Sequence, residues 1–298
     1  IVNKINQTPL VSIIINCYNG EKYLHKALQS VQKQTYQNWE VIFWDNLSTD
    51  KSKRIFFSFS DKRFKYNLAK KHTNLYTARN LAIRKAKGQY IAFLDVDDWW
   101  DKNKLSYQIP YFIDEKVALV YGNCWIVDER DKKKTYLLSK KELPKGHISK
   151  EILKNYNVSL PTIIINKKLL GKKIFDENFH IIGDFDLVIR ISFKWKIECC
   201  QLPIAFNRIH KKNESLIKYN LQTKELETWL LKRVISQKLS KKEKSSFKNL
   251  INYRKCNDLI NYDIKKSFLY FNLLPISFLK VKIFIKMILY MIKGLLLK

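Results

Sequence analysis

Acidic residues are scarce in this chain. Only 27 Asp and Glu stand against 56 Lys and Arg, a formal net charge of +29, and such a balance favours an anionic partner: nucleic acid, a phosphorylated substrate or an acidic membrane surface. The shortage is uneven, since from Lys211 onward 20 basic residues face 6 acidic ones, and Ile276 to Lys298 contains no acid at all. Cysteine is sparse as well. Cys17, Cys124, Cys199, Cys200 and Cys256 are odd in number, show no CxxC spacing and include an adjacent pair, a usage that predicts reduced thiols on the cytosolic side of a membrane rather than a disulfide framework. No long apolar run opens the chain: Leu10 to Ile15 is six residues, shorter than the h-region of a signal peptide, so no leader is expected. The basic residues do not interleave with a recognisable DNA- or RNA-binding motif, so nucleic acid is not the expected partner.

What is present is enough apolar material for a full core. The chain has 298 residues, 46% hydrophobic and 13% aromatic, a length that suits one main domain with an appendage. Leu10 to Ile15 and Glu40 to Trp44 are β-branched or apolar runs of the kind buried on both faces of a parallel sheet. Leu24, Leu28 and Val31 mark one face of a helix beginning near Glu21. Ser48 is the expected N-cap of a helix running through Phe57. A short strand over Phe64 to Leu68, a helix over Asn74 to Lys87 closed by Gly88, and a strand over Tyr90 to Leu94 continue the alternation. Repeated strand and helix units imply an open parallel sheet with its ligand at the carboxyl ends of the strands. Asn16 to Tyr18, Asp45 and Asp95 to Asp98 all fall at such ends.

Asp95 and Asp97 are one residue apart where the chain leaves a strand, so both can turn toward one divalent cation. Beyond them, Trp99-Trp100-Asp101 is expected to lead into a helix through about Gln108, limited by Pro110. Two strands are expected at Val117 to Tyr121 and Cys124 to Asp128, then a charged turn from Glu129 to Lys134 and a lysine-rich loop from Ser139 to Gly146. A strand ending in Ala205 to His210 closes this half.

Four stretches in order carry a resemblance: Pro9 to Asn19, Asp45-Asn46-Leu47-Ser48-Thr49-Asp50, Ala78-Arg79-Asn80, and Gly88 to Asp98. They resemble the family 2 glycosyltransferases of the GT-A fold, inverting enzymes that use nucleotide-diphospho sugars. The resemblance covers roughly residues 8 to 215, with one departure at Asn16, where the family usually has Pro. It implies an α/β fold with a Rossmann-like open sheet and a helical C-terminal extension. It gives Asp45 a role in holding base and ribose, closes the Asn16 to Tyr18 loop over the nucleotide, and puts Arg79 near base or diphosphate. Asp95 corresponds to the first aspartate of the metal motif, near the ribose, and Asp97 to the direct ligand of Mn²⁺ or Mg²⁺, with His210 a further metal or diphosphate contact. Asp184, in the segment Gly183-Asp184-Phe185-Asp186, aligns with the catalytic base, with Asp186 the alternative and Gly183 where a Glu is common. Each has a plainer reading: Asp45 as a turn residue, Arg79 as a helix-surface charge, His210 as a surface histidine. Asp98 reads as a helix cap that would tolerate change, and Asp184 and Asp186 as acids favoured by a helix N-terminus.

The expected organisation is a catalytic domain over 1–215, with a nucleotide half at about 8–100 and an acceptor half at about 101–215, then a basic helical extension over 216–298. Helices are expected at Leu221 to Leu239, Lys241 to Cys256 and Tyr262 to Leu274. Ile276 to Lys298 carries Lys280, Lys282, Lys286, Lys293 and Lys298 among apolar residues. It is too interrupted to span a bilayer comfortably and suits an amphipathic helix lying in an anionic membrane surface; packing on the protein's own core or on a second subunit is the other reading. The expected activity is a metal-dependent, inverting transfer of a hexosyl or N-acetylhexosaminyl group, from a UDP-sugar, to a glycan or lipid-linked saccharide. It would act in cell-surface polysaccharide biosynthesis at the cytoplasmic face of a membrane, with a homo-oligomer among the expected partnerships. The alternative is a non-catalytic, nucleotide- or nucleic-acid-binding basic protein.

Overall fold

The computed structural model describes residues 8–130, 134–171, 174–236, 239–260, 263–276 and 278–296. The turn expected from Glu129 to Lys134 and the position of Lys298 lie partly or wholly outside these residues. Two compact units are present, Ile1–Asn213 and Glu214–Lys298.

The first unit opens with β1 (Val11–Cys17), α1 (Leu24–Gln32), β2 (Trp39–Asp45), α2 (Ser52–Phe57), β3 (Phe64–Leu68), α3 (Leu75–Ile83) and β4 (Tyr90–Phe93). Every residue of β1, β2 and β4 is buried, which is why these segments read as continuous apolar runs rather than alternating ones. There follow β5 (Trp99–Trp100), α4 (Lys104–Gln108), β6 (Val117–Asp128), β7 (Lys134–Leu137), α5 (Ser149–Lys154), β8 (Ile164–Asn166), α6 (Lys167–Leu170), α7 (Gly183–Lys194) and β9 (Lys196–Ile209).

The strands form one nine-stranded sheet among the described residues, in the order β3-β2-β1-β4-β8-β6-β9-β5, with β7 paired to β6. β3, β2, β1 and β4 are mutually parallel. β8 runs antiparallel to β4 and to β6, so direction reverses beside the strand that ends in the acidic loop. One core cluster joins the Val11, Ile13 and Ile15 side of β1 to Leu24, Ala27, Leu28 and Val31 of α1.

Several local expectations are corrected. Ser48 does not cap α2, whose N-cap is Lys51 without a side-chain bond; its hydroxyl instead accepts the Asn19 N–H at 3.0 Å. Gly88 is not a left-handed C-cap. A Cβ there would meet Ser12 N at 2.6 Å and Leu10 O at 2.7 Å, so glycine is needed for close approach to β1, and its N–H donates to Ser12 Oγ at 2.7 Å. The two strands expected around Gly122-Asn123 are a single strand, β6, with shifts in its register against β9 at those residues. The break in the sequence pattern is an irregularity within a long strand rather than a turn.

The second unit holds α8 (Glu214–Ile217), α9 (Tyr219–Ser236), α10 (Lys241–Leu259), α11 (Ile264–Asn272) and α12 (Phe278–Leu296). Its core includes Cys256, Ile260, Ile283 and Met287. Among the described residues no helix is long and apolar enough to cross a membrane.

Candidate active site

The loops leaving β1 and β2 are knitted to each other. Asn19 Oδ1 accepts the Thr49 N–H, Ser52 Oγ accepts the Gly20 N–H, Asp50 accepts the Glu21 N–H, and Glu21 accepts the Lys51 N–H, all within 3.0 Å. Asn19 and Leu47 sit at positive φ, 53° and 68°, conformations that cost a non-glycine residue and persist where surrounding bonds hold them. Asp45 is buried, and its carboxylate accepts the Ser48 N–H at 2.7 Å and the Tyr66 hydroxyl at 2.5 Å. Tyr18 is exposed at the rim, its ring 4.4 Å from that of His72. Asn16 is buried with neither amide atom hydrogen-bonded, and its register partner on β2, Trp44, has its indole N–H in the same state.

The acidic loop after β4 is held from two sides. On one, Arg79 of α3 donates to Asp95 Oδ1 at 2.5 Å. Arg79 is 3% exposed, which excludes a surface charge. On the other side lies the end of β9. His210 Nε2 is 3.1 Å from Asp97 Oδ2, the Asn213 amide donates to the same oxygen at 3.3 Å, and the His210 ring stacks on Tyr23.

Asp98 is not a helix cap. It is 3% exposed and accepts the Arg208 N–H at 2.8 Å and the Asn207 amide at 3.3 Å. Burial, then the charges of Asp97 and Asp95, hold its carboxyl well above the ordinary aspartate range. Arg208 in turn donates to the Asp97 carbonyl at 2.8 Å, pairs with Glu129, and lies over the rings of Tyr23 and Trp99. A carboxylate with these ties fastens the acidic loop to β9, so the expected tolerance to change is not what its surroundings allow.

Asp184 occupies the first turn of α7. Its Oδ1 accepts the Phe185 N–H at 2.9 Å and lies 3.4 Å from the Tyr76 hydroxyl, which also donates to the Ile181 carbonyl at 2.8 Å. Burial raises the Asp184 carboxyl above the usual range; the Arg79 charge opposes this and the Asp95 charge adds to it. Arg79 therefore links Asp95 and Asp184 electrostatically. Asn80, its neighbour, exchanges bonds with Phe175 backbone at 2.9 and 3.0 Å and donates to Glu177 at 2.9 Å, so the Ala78-Arg79-Asn80 stretch ties both halves of the site to one helix. Asp186 is placed elsewhere: fully buried, it accepts Arg190 Nε at 2.7 Å one turn along α7, and the Arg190 guanidinium also donates to the Ile174 carbonyl.

Among the described residues no three His, Cys, Asp or Glu side chains converge as a metal cage. The donors that do converge are a carboxylate oxygen of Asp97 and the imidazole of His210, while Asp95, also expected as a ligand, is paired with Arg79. Carboxylate and imidazole suit a divalent ion such as Mn²⁺, and cations of this class are commonly held by one or two protein donors plus substrate phosphates. The pair fits an ion that takes its remaining ligands from a diphosphate.

The family model described as Glycosyl transferase family 2 matches residues 12–191. This chain belongs to that family. The match runs from within β1 into α7, and the fold is the GT-A fold. The chain is similar to two transferases of Escherichia coli. One is named UDP-Glc:alpha-D-GlcNAc-diphosphoundecaprenol beta-1,3-glucosyltransferase WfgD, 35% identical over 54% of this chain and 62% of that protein. The other bears the same activity name, WfaP, and is 38% identical over 70% of this chain and 81% of that one. Among solved structures, Staphylococcus aureus TarS residues 1–349 superpose with a TM-score of 0.65 at 19% identity, covering 89% of this chain and 81% of that one. The mannosyltransferase PcManGT of Pyrobaculum calidifontis, solved with GDP-Man and Mn²⁺, gives 0.62 at 13% identity, covering 90% and 75%.

Residues that sequence reading did not assign to the site are Tyr66, His72, Tyr76, Asn213 and the Arg208–Glu129 pair. Only Arg208 had a signal, as the arginine two residues before the histidine that was singled out.

Proposed function

We propose that this enzyme moves a hexosyl or N-acetylhexosaminyl group from a UDP-sugar, with inversion, onto a hydroxyl of a lipid-linked saccharide during cell-surface polysaccharide synthesis, at the cytoplasmic face of the membrane. The observation that carries the reading is the bridge made by Arg79: it pairs with Asp95 and its charge acts on Asp184. One buried helix thus sets a donor-side carboxylate and a proton acceptor in a common site. The donor and acceptor classes are supported by the names of the two Escherichia coli relatives.

In this mechanism the Asn16 to Tyr18 loop and the β2 loop receive the nucleotide, with Asp45 fixing the turn beneath it. Arg79 orients Asp95 toward the ribose. Asp97 and His210 would hold Mn²⁺ or Mg²⁺ together with the donor diphosphate. When bound, such an ion offsets the negative charge that develops on the departing diphosphate. Asp184 accepts the proton of the acceptor hydroxyl as that oxygen attacks the anomeric carbon from the face opposite the nucleotide, in a single displacement. A raised pKa suits this work, because a carboxylate closer to neutrality holds the proton more firmly. Asp186, committed to Arg190, is not given the role.

The test is a panel of nucleotide sugars assayed for transfer and hydrolysis with and without Mn²⁺, on the parent chain and on Asp184→Asn. Metal-dependent turnover is expected with a UDP-hexose. Asp184→Asn should lower it by roughly 10²–10⁴-fold while donor binding stays. Failure of any donor to bind or be cleaved would overturn the reading.

A further inference from the structure

α12 already spends one face on the core of its own unit. Ile283 and Met287 are 1% and 0% exposed and pack with Cys256 and Ile260, against which Phe268 and Phe271 also lie. The opposite face of such a helix is ordinarily polar. Here it carries Val281, Ile285, Ile288 and Leu289, spaced at i, i+4, i+7 and i+8, all exposed, with 52% of Ile285 and 55% of Leu289 open. The helix is apolar on both faces, so internal packing does not account for its composition. Beside the stripe runs an open apolar groove of about 270 Å³ lined by Phe271, Ile276, Lys280, Val281 and Phe284, where Ile276 is almost wholly exposed.

Charge selects what covers this face. No acidic residue follows Asp263, whereas Lys265, Lys266, Lys280, Lys282, Lys286 and Lys293 all do. Lys265, Lys266 and Lys282 are exposed, and Lys282 flanks the stripe, roughly 60° around the helix from Ile285 and about 20° from Leu289. A second copy of this face would set lysine against lysine. An anionic bilayer satisfies both features at once: apolar side chains enter the acyl boundary while the ammonium groups stay among phosphates. We infer that the C-terminal unit docks on an anionic lipid surface through the outward stripe of α12, with the helix lying in the interface. This goes beyond the transfer reaction and does not depend on it.

The experiment is co-sedimentation of the full chain with vesicles of phosphatidylcholine alone or mixed with phosphatidylglycerol, at low and high salt. Binding is expected only with the anionic lipid and should weaken with salt. Ile285→Ser combined with Leu289→Ser removes two exposed side chains without touching the packed face, and should weaken binding more than about tenfold. Lys282→Gln alone should weaken it about fivefold. Donor cleavage in detergent-free solution should be unchanged in all three proteins, so its absence would count against the transferase reading and leave the vesicle result standing. The inference is overturned if the parent chain ignores anionic vesicles, or if the double variant binds them as well as the parent does. It is also overturned if the stripe mediates dimerisation instead, with the parent's mass doubled and the double variant's not.

Discussion

Gly183 and Tyr76 are fitted to each other: a Cβ on Gly183 would begin 2.7 Å from three carbons of the Tyr76 ring. Gly183 does not adopt a left-handed backbone, so what glycine supplies is space. That space lets the Tyr76 hydroxyl reach the Ile181 carbonyl and approach Asp184, and it explains why no glutamate precedes the proposed base. Gly183→Ala should overpack this contact and destabilise the chain by about 1–3 kcal/mol in chemical denaturation. Adding Tyr76→Ala should give a loss smaller than the sum of the two single changes, because one substitution vacates the room the other needs.

Asp98 holds the acidic loop to β9 through the Arg208 N–H and the Asn207 amide. Asp98→Ala leaves those donors without their acceptor, at a cost of about 1–3 kcal/mol for the Arg208 N–H, which is left buried and unpaired. Urea unfolding should register the loss, and donor KM should rise, because Asp97 and His210 are carried by the two segments being separated. Unchanged stability would return Asp98 to the role of a dispensable turn residue.

The pH profile should show the Asp184 environment. Burial raises its carboxyl, so the acid limb of kcat/KM should lie above the ordinary aspartate range, and Arg79, whose charge opposes the rise, should be holding it down. Arg79→Gln should therefore move that limb to higher pH as well as lowering the rate. The sign for stability follows the same shift. A carboxyl that binds its proton more tightly in the fold than in the unfolded chain stabilises the fold at acid pH, and that contribution is lost as pH rises through the folded pKa. Asp184→Asn should flatten this part of the stability profile.

Asn16 stands where the family usually has proline, and both of its amide atoms are buried without hydrogen bonds. A group in that condition costs the unliganded fold its desolvation. Asn16→Ala should leave thermal stability within about 1 kcal/mol of the parent, while weakening donor binding measured by calorimetry, if the amide is satisfied by the nucleotide. Equal donor affinity in the two proteins would mean that the amide serves no ligand.

Much of the stretch from β1 to β4 could be read in advance because its signals are local. β3 falls on Phe64–Leu68 as expected, and the buried runs of β1, β2 and β4 mark themselves by composition. What escaped was set by chain segments far apart. Ser48 and Asp98 look like caps in a linear reading, yet their partners Asn19 and Arg208 lie 29 and 110 residues away. Gly88 looks like a helix stop, and only the approach of Ser12 explains it. In the candidate site, the spacing of Asp95 and Asp97 at a strand end pointed to them and the family pattern to Asp184, whereas the reason for preferring Asp184 to Asp186 is the Arg190 contact, which spacing alone permits but does not require.

α3 has one more consequence. Tyr76, beside the proposed base, and Arg79, paired with Asp95, are buried residues three apart on a single helix, so their separation along it is about one turn, near 5 Å. The gauge between the two chemical centres is thus cut into a rigid rod rather than left to the surrounding loops. The loop from Ser139 to Gly146 is bonded instead to Asn123, Gln201 and Ile197, so a change of its length or sequence leaves that gauge in place.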